Sequence, residues 1–352
     1  MTISVERKEL PRPQADKDYP RSYGEFLAWF PDDDACLDYL DWLRWPNGFS
    51  CPRCGGGAAW RLKDGRWWCA GCRRRISATA GTIYHRTQTP LTLWFAAAWY
   101  MTSSKNGVSA KTLHRLLGFG SYQTVWAMLH RYRNAMVRPG RDRLCGDVEV
   151  DETMIGGVKP GKRGRGAEGK VLVAVAVEQI QPKGFGRCRL KVIPDAQSTT
   201  LRSFLLDYVE PGSTLITDGL SSYPGAAGAD YAHNPTPVKG SGMKAHDLLP
   251  GAHRVASLVK RWLLGTHQGS VEEDHLQAYL NEFTFRFNRR HSRARGMLFY
   301  RLLQQAVETS PTSYKELVVS PKPRVENKPI PPKVRRIAPP SLQVAVPPRP
   351  WR

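Results

Sequence analysis

Val148-Glu149-Val150-Asp151-Glu152-Thr153 and Leu215-Ile216-Thr217-Asp218-Gly219 are the two stretches on which the fold turns. Each is a short β-branched or apolar run that delivers an aspartate at or near the end of a strand. Alternation along 147–153 sets Asp147, Glu149 and Asp151 on one face, with Val148 and Val150 on the other. An unpaired buried charge costs several kcal/mol, so a carboxylate in such a strand needs a reason. Either aspartate alone reads equally well as the cap of a turn. The pair, in so basic a chain, is better explained as an oxygen-rich site for a hard divalent cation acting in phosphoryl transfer on DNA.

Working outward, Val171 to Val177 is apolar on both faces and reads as a central strand. Arg187 to Ile193 reads as a third strand, and Ser198 to Val209 as a helix with Leu201, Phe204, Leu205 and Tyr208 inward. Three strands in a meander, a helix, then the strand ending at Asp218 is the order of a ribonuclease-H-like α/β fold. Lys159, Lys162, Arg163, Arg165 and Lys170 make a glycine-rich basic loop between the first two strands, available to DNA phosphates. Two helices close the unit. His253 to Leu264 is expected to stop at Gly265, and Ser270-Val271-Glu272-Glu273 reads as a capping box for the next. Glu282 lies beside the apolar stripe of that last helix, four residues before Arg286, a spacing that suits a surface ion pair.

Lys and Arg number 52 against 31 Asp and Glu, a net charge of +21, so the partner is polyanionic. Nucleic acid comes first and an anionic membrane surface second, since no apolar run approaches the roughly 20 residues that span a bilayer. The opening Met1-Thr2-Ile3-Ser4-Val5-Glu6-Arg7 lacks the apolar core of a signal peptide, and a cytoplasmic, nucleoid-associated protein is expected. Of the 7 cysteines, Cys51, Cys54, Cys69 and Cys72 form two Cys-x-x-Cys pairs, the spacing of a zinc ribbon that binds one structural Zn²⁺ per chain. The basic surface of this ribbon suits either DNA phosphates or a docked protein. No phosphate-cradling Gly-Lys-Ser/Thr loop occurs, so ATP use is not indicated.

Before the ribbon, two short helices flank Pro31-Asp32-Asp33-Asp34, with Asp33 or Asp34 as cap of the second. After it, Trp94 to Met101 supplies a helix apolar nearly all round. Ser109 and Ser121 then open two more, joined by Gly118-Phe119-Gly120. The second of these buries Val125, Leu129, Tyr132 and Met136 and is expected to present Gln123, His130, Arg131 and Arg133 outward. That pattern fits a helix-turn-helix, with Gln123, Arg131 and Arg133 as DNA contacts, although plain helical hairpins share it. Residues 320–352 hold ten prolines and eight Lys or Arg, a basic extended tail.

Several motifs act together. They are the ribbon, Ser77-Ala78-Thr79-Ala80-Gly81-Thr82, Val150 to Gly157, Thr217-Asp218-Gly219, Lys260-Arg261-Trp262-Leu263, Gly265-Thr266-His267-Gln268-Gly269, and Tyr279 to Phe283 with Phe285 to Arg290. From about residue 20 to 305 the chain resembles the zinc-ribbon insertion-sequence transposases, the ISXO-like group. The resemblance implies a DDE recombinase: a ribonuclease-H-like core, two Mg²⁺ or Mn²⁺ ions, and cleavage and joining of DNA ends. It carries the first two acids onto Asp151 and Asp218, and the family's lysine onto Lys260, as a contact to the terminal phosphate. At the third position this chain departs, because Leu258 stands there and leucine cannot bind a cation. Glu282, His253 or Asp247 then completes the site, or this copy is impaired.

The expected protein is multidomain. A disordered start (1–20) precedes a helical lead-in with the zinc ribbon (21–84), an all-α helix-turn-helix (85–140), an α/β ribonuclease-H-like DDE core (141–310) and a basic Pro-rich tail (311–352). Its expected work is metal-dependent cleavage and strand transfer on double-stranded DNA, element ends and target, as a homodimer or higher oligomer. The alternatives are a domesticated or decayed transposase that only binds DNA, and a ribonuclease-H-like nuclease.

Overall fold

In the computed structural model the described residues sort into two compact units, and the path between them is not simple: residues up to 103 group with 292–311, and residues between 104 and 291 with 312–318. The structure describes residues 13–156, 170–180, 182, 184–236, 245–269 and 271–318. Lys162, Arg163, Arg165 and the tail beyond residue 318 lie outside the described residues.

The first unit opens with two capped helices. Ser22 accepts from the Glu25 amide at the start of Tyr23–Trp29 (α1), and Asp32 from the Ala35 amide at the start of Asp33–Arg44 (α2). The cap of α2 is therefore Asp32, one residue before the two expected ones. Asp33 and Asp34 occupy its first turn, where negative charge meets the positive end of the helix dipole. Three short strands, Ala59–Arg61 (β1), Trp67–Cys69 (β2) and Arg75–Ile76 (β3), form an antiparallel sheet. Leu91–Ser103 (α3) is buried nearly all round, as its composition demands.

A helix from far along the sequence, Arg295–Glu308 (α11), packs with α2 and α3. Its Phe299 ring lies 5.6 Å from Phe26, 5.8 Å from Phe95 and 5.5 Å from Trp99. The expectation that the core domain runs on to residue 310 is corrected here, because the apolar stripe of α11 completes an aromatic core begun some 270 residues earlier (299 − 26). Residues 13–20 are ordered too: Tyr19 is buried and Asp18 accepts from the Tyr39 hydroxyl at 2.6 Å.

The second unit begins with Ala110–Leu116 (α4) and Tyr122–Ala135 (α5), so the three helices expected as one domain over 85–140 divide between the units. A five-stranded sheet follows, built from Asp147–Gly156 (β4), Lys170–Gln179 (β5), Phe185–Val192 (β6), Thr214–Thr217 (β7) and Ala232–Pro235 (β8). Its order is β6-β5-β4-β7-β8. The β4, β5 and β6 strands form the expected antiparallel meander, while β7 and β8 pair in parallel beyond β4. On one face Val148 and Val150 pack with Leu201, Phe204 and Leu205 of Ser198–Tyr208 (α6) and with Tyr223 of Tyr223–Ala227 (α7).

On the other face Val173, Val175 and Val177 meet Val255 and Val259 of Pro250–His267 (α9) and Leu280 and Phe283 of Leu276–Phe287 (α10). Each such buried side chain contributes about 1.5–3 kcal/mol. Two shorter helices, Ala245–Leu248 (α8) and Tyr314–Val318 (α12), complete the unit. Two helix boundaries differ from expectation. Gly265 does not end α9, which runs on to His267 and closes at Gln268 in the left-handed region (φ 53). A glycine inside a helix costs only about 1 kcal/mol, and Trp262 and Thr266 anchor this stretch by donating to the Asn106 carbonyl at 2.8 Å each. The start of α10 is the second, and Ser270 of the expected capping box lies outside the described residues. A 3-10 turn, Glu273–His275, precedes it and His275 makes no side-chain cap bond.

Candidate active site and zinc ribbon

Parallel pairing sets β4 beside β7 with Val148 opposite Leu215 and Glu149 opposite Ile216. Continued two residues further, the same register brings Asp151 level with Asp218, just past the end of β7. Each carboxylate is steadied by a backbone amide: Asp151 Oδ1 accepts from Glu152 N at 2.8 Å, and Asp218 Oδ1 from Leu220 N at 3.0 Å. Gly219 permits the turn after Asp218 through a positive φ of 81°. The buried Tyr223 donates its hydroxyl to Glu152 Oε1 at 2.7 Å. Burial pushes this phenol well above its ordinary pKa, and the negative charges of Glu152, Asp151 and Asp218 push it further. Sequence reading missed Tyr223, although its place one turn after Asp218-Gly219 was a usable signal.

From α9, His253 Nε2 approaches Asp151 Oδ2 to 3.7 Å. Burial lowers the Lys260 pKa, the Asp151 charge opposes that shift, and Lys170 adds to it, which places Lys260 within the field of the same aspartate. His253 is therefore brought to Asp151, and Lys260 stands within reach of its charge. Leu258 packs against the apolar cluster beneath α9 and α10, and Asp247 is exposed on α8.

Glu282 lies elsewhere in its contacts. It is fully buried and its Oε2 accepts from Arg133 Nε at 2.9 Å. The Arg133 guanidinium also sits 4.1 Å over the Tyr279 ring. The expected surface pair with Arg286 is replaced by this buried one, and Arg286 donates to the carbonyls of Ser104 and Lys105. The outward polar face expected on α5 is corrected at two positions, since His130 and Arg133 are both buried where α5 packs on α10. Arg131 is half-buried and donates to the Thr312 carbonyl at 2.8 Å, while Gln123 is exposed.

In the ribbon the four Sγ atoms of Cys51, Cys54, Cys69 and Cys72 all lie within 4.8 Å of one another. Cys51 and Cys72 are 3.7 Å apart and Cys54 and Cys69 3.5 Å. Four thiolates about 2.3 Å from a tetrahedral ion sit about 3.8 Å from each other, so the donor set and its geometry fit structural zinc. The ribbon is tied to α2: Arg61 pairs with Asp38, Trp67 Nε1 donates to Asp41 Oδ2 at 3.0 Å, and Arg44 donates to the Ala78 carbonyl at 2.6 Å.

Comparison with known proteins bears on both parts. Residues 31–75 match the family model of the transposase zinc-ribbon domain, and residues 143–288 that of the ISXO2-like transposase domain. No curated protein matches the chain. Among solved structures, a chain of a pre-cleavage Mos1 transpososome is similar at 15% identity and a TM-score of 0.26, over 64% of this chain and 78% of that one. No helix among the described residues is long and apolar enough to cross a membrane. Ribbon and transposase domain follow one another in the order read from the sequence, and the chain belongs to the zinc-ribbon insertion-sequence transposases of the DDE type.

Proposed function

We propose that this protein cuts and joins DNA at the ends of an insertion sequence, with Asp151 and Asp218 as the ligands of a Mg²⁺ or Mn²⁺ pair on a ribonuclease-H-like core. The observation that supports this reading is the parallel register of β4 and β7, which, continued two residues, brings Asp151 in the middle of β4 level with Asp218 just past the end of β7. Bound there, the ions supply an activated water or DNA 3′-hydroxyl and charge stabilisation for the leaving oxygen. The chain's own part is positioning. Backbone amides fix the two aspartates and the sheet keeps them rigid, while Tyr223 holds Glu152 on the opposite face of β4.

His253, 3.7 Å from Asp151, takes the third place that Leu258 leaves without a ligand. Lys260 meets the terminal phosphate. The α4–α5 hairpin acts as the helix-turn-helix, reading element ends through Gln123 and neighbouring exposed residues, with Arg131 at its margin. The ribbon and the basic segments at 157–169 and 319–352 add affinity for phosphates. Two DNA ends must meet, which suits at least a dimer.

Leu258 favours a second reading, a copy that binds DNA and no longer cuts it. Strand transfer on pre-cut ends, with Mg²⁺, separates the two. Wild type joins the ends while Asp151→Ala and Asp218→Ala do not. An inactive wild type that Leu258→Glu revives identifies the decayed copy. Joining that survives Asp151→Ala removes the DDE reading altogether.

A further inference from the structure

Glu149 is two residues before Asp151 on β4 and is fully buried. Its carboxylate is held by two N–H donors. Oε1 accepts from Gln179 Nε2 at 2.6 Å, across the ladder on β5, and Oε2 from the Ala252 amide at 2.8 Å, in the first turn of α9. That helix lacks a cap of its own, because Leu249 at its N-cap position makes no side-chain cap bond and Pro250 follows. The amides of a first turn have no partner within their helix, and a carboxylate there is also favoured by the helix dipole. The structure therefore places the missing cap on a neighbouring strand.

Gly251 gives an independent sign that this joint is built. A Cβ at Gly251 would stand 3.0 Å from Glu149 Oε2 and 2.8 Å from the Phe185 ring, so only glycine lets the helix start come this close. The two elements joined here are the two that meet at the site. Glu149 and Asp151 share a face of β4, and His253, next to Ala252 on α9, stands 3.7 Å from Asp151.

We infer that Glu149 is a positioning residue for strand transfer: its bonds to the Ala252 amide and to Gln179 lock the start of α9 onto β4, and so set His253 against Asp151. It acts through α9 and touches neither substrate nor metal. The inference rests on the reading of Asp151 as a metal ligand. Glutamine keeps one acceptor oxygen for Ala252, and a flipped Gln179 amide restores the second bond. Leucine keeps neither.

The test uses the full-length protein as wild type, Glu149→Gln, Glu149→Leu and Val148→Ala, the last on the opposite face as a control for lost stability. Glu149→Leu is expected to lower kcat on pre-cut ends by about 10- to 100-fold, the usual effect of removing a support behind a metal ligand, with KM for DNA unchanged. Glu149→Gln recovers most of the rate, and Val148→Ala keeps it despite a lower Tm. Hydrogen exchange at the Ala252 and His253 amides, read without metal or DNA, accelerates in Glu149→Leu only. Wild-type kcat in Glu149→Leu overturns the inference, and so does a fall in kcat that Val148→Ala shares at equal Tm. If Asp151→Ala still joins ends, the metal-ligand reading is what has failed, and unaccelerated exchange in Glu149→Leu then overturns the joint independently.

Discussion

Two buried acids have opposite environments. Glu282 is compensated: Arg133 reaches it at 2.9 Å and is itself stacked over Tyr279. Removing one member of a buried pair strands the other, at a cost of about 3–5 kcal/mol, whereas replacing both with apolar groups is often neutral. Glu282→Gln and Arg133→Met should each destabilise by that order in urea unfolding, and the Arg133→Met/Glu282→Leu pair should recover most of it. A folded double variant that still joins DNA ends makes Glu282 structural, and one that folds but has lost turnover reinstates it as an acid of the site.

Asp41 is the opposite case. Burial raises its pKa to about 6, against the Trp67 hydrogen bond and the Arg61 charge. The folded state therefore binds the proton more tightly than the unfolded one. Stability falls as pH rises from the ordinary carboxylate value of 3.8 to about 6, and the penalty persists above that. Thermal scans across this window should show Asp41→Asn gaining on wild type as pH rises, and a constant difference would refute the assignment.

Among the elements, the ribbon depends most on something other than its own core. Its three strands have two or three residues each, too few to bury much apolar surface, and Trp45 and Phe49 pack on Trp67 of β2. A structural zinc contributes about 10–16 kcal/mol in such small folds. Chelation, or Cys51→Ser, should abolish the near-UV signal of Trp67 and Trp68 while leaving the far-UV signal of the helices largely intact. Elemental analysis should find one zinc per chain, and protein purified without zinc yet fully folded would end the claim. The hairpin α4–α5 shows the converse behaviour of an element. Its buried side, which carries His130 and Arg133, was polar enough to pass for a surface.

For the whole molecule the decisive feature is that the chain comes back. The aromatic core of the first unit, with Phe26, Phe30, Tyr39, Phe95 and Trp99, is closed by Phe299 of α11. A chain ended after His291 exposes those rings. It should keep the sheet unit folded but leave the first unit prone to proteolysis and aggregation, as limited digestion and light scattering would show. A first unit that resists digestion without residues 292–318 would show that α11 is dispensable.

The meander of β4, β5 and β6, the places of Asp151 on β4 and Asp218 just past β7, and the thiolate set were legible because each rests on local chemistry. Period-two alternation fixed the faces of β4, an apolar run on both faces marked β5 as central, and Cys-x-x-Cys spacing identified the ribbon. The partners of Glu149, Glu282 and Phe299 were not legible. A lone carboxylate in a strand, a glutamate beside an arginine four residues on and a phenylalanine on an amphipathic helix each permit several partners at any sequence distance. Only the tertiary fold chose among them. It brought a helix start onto Glu149, a buried guanidinium onto Glu282 and an aromatic core onto Phe299, contacts that give each carboxylate a hydrogen-bond donor and cover the apolar face of α11.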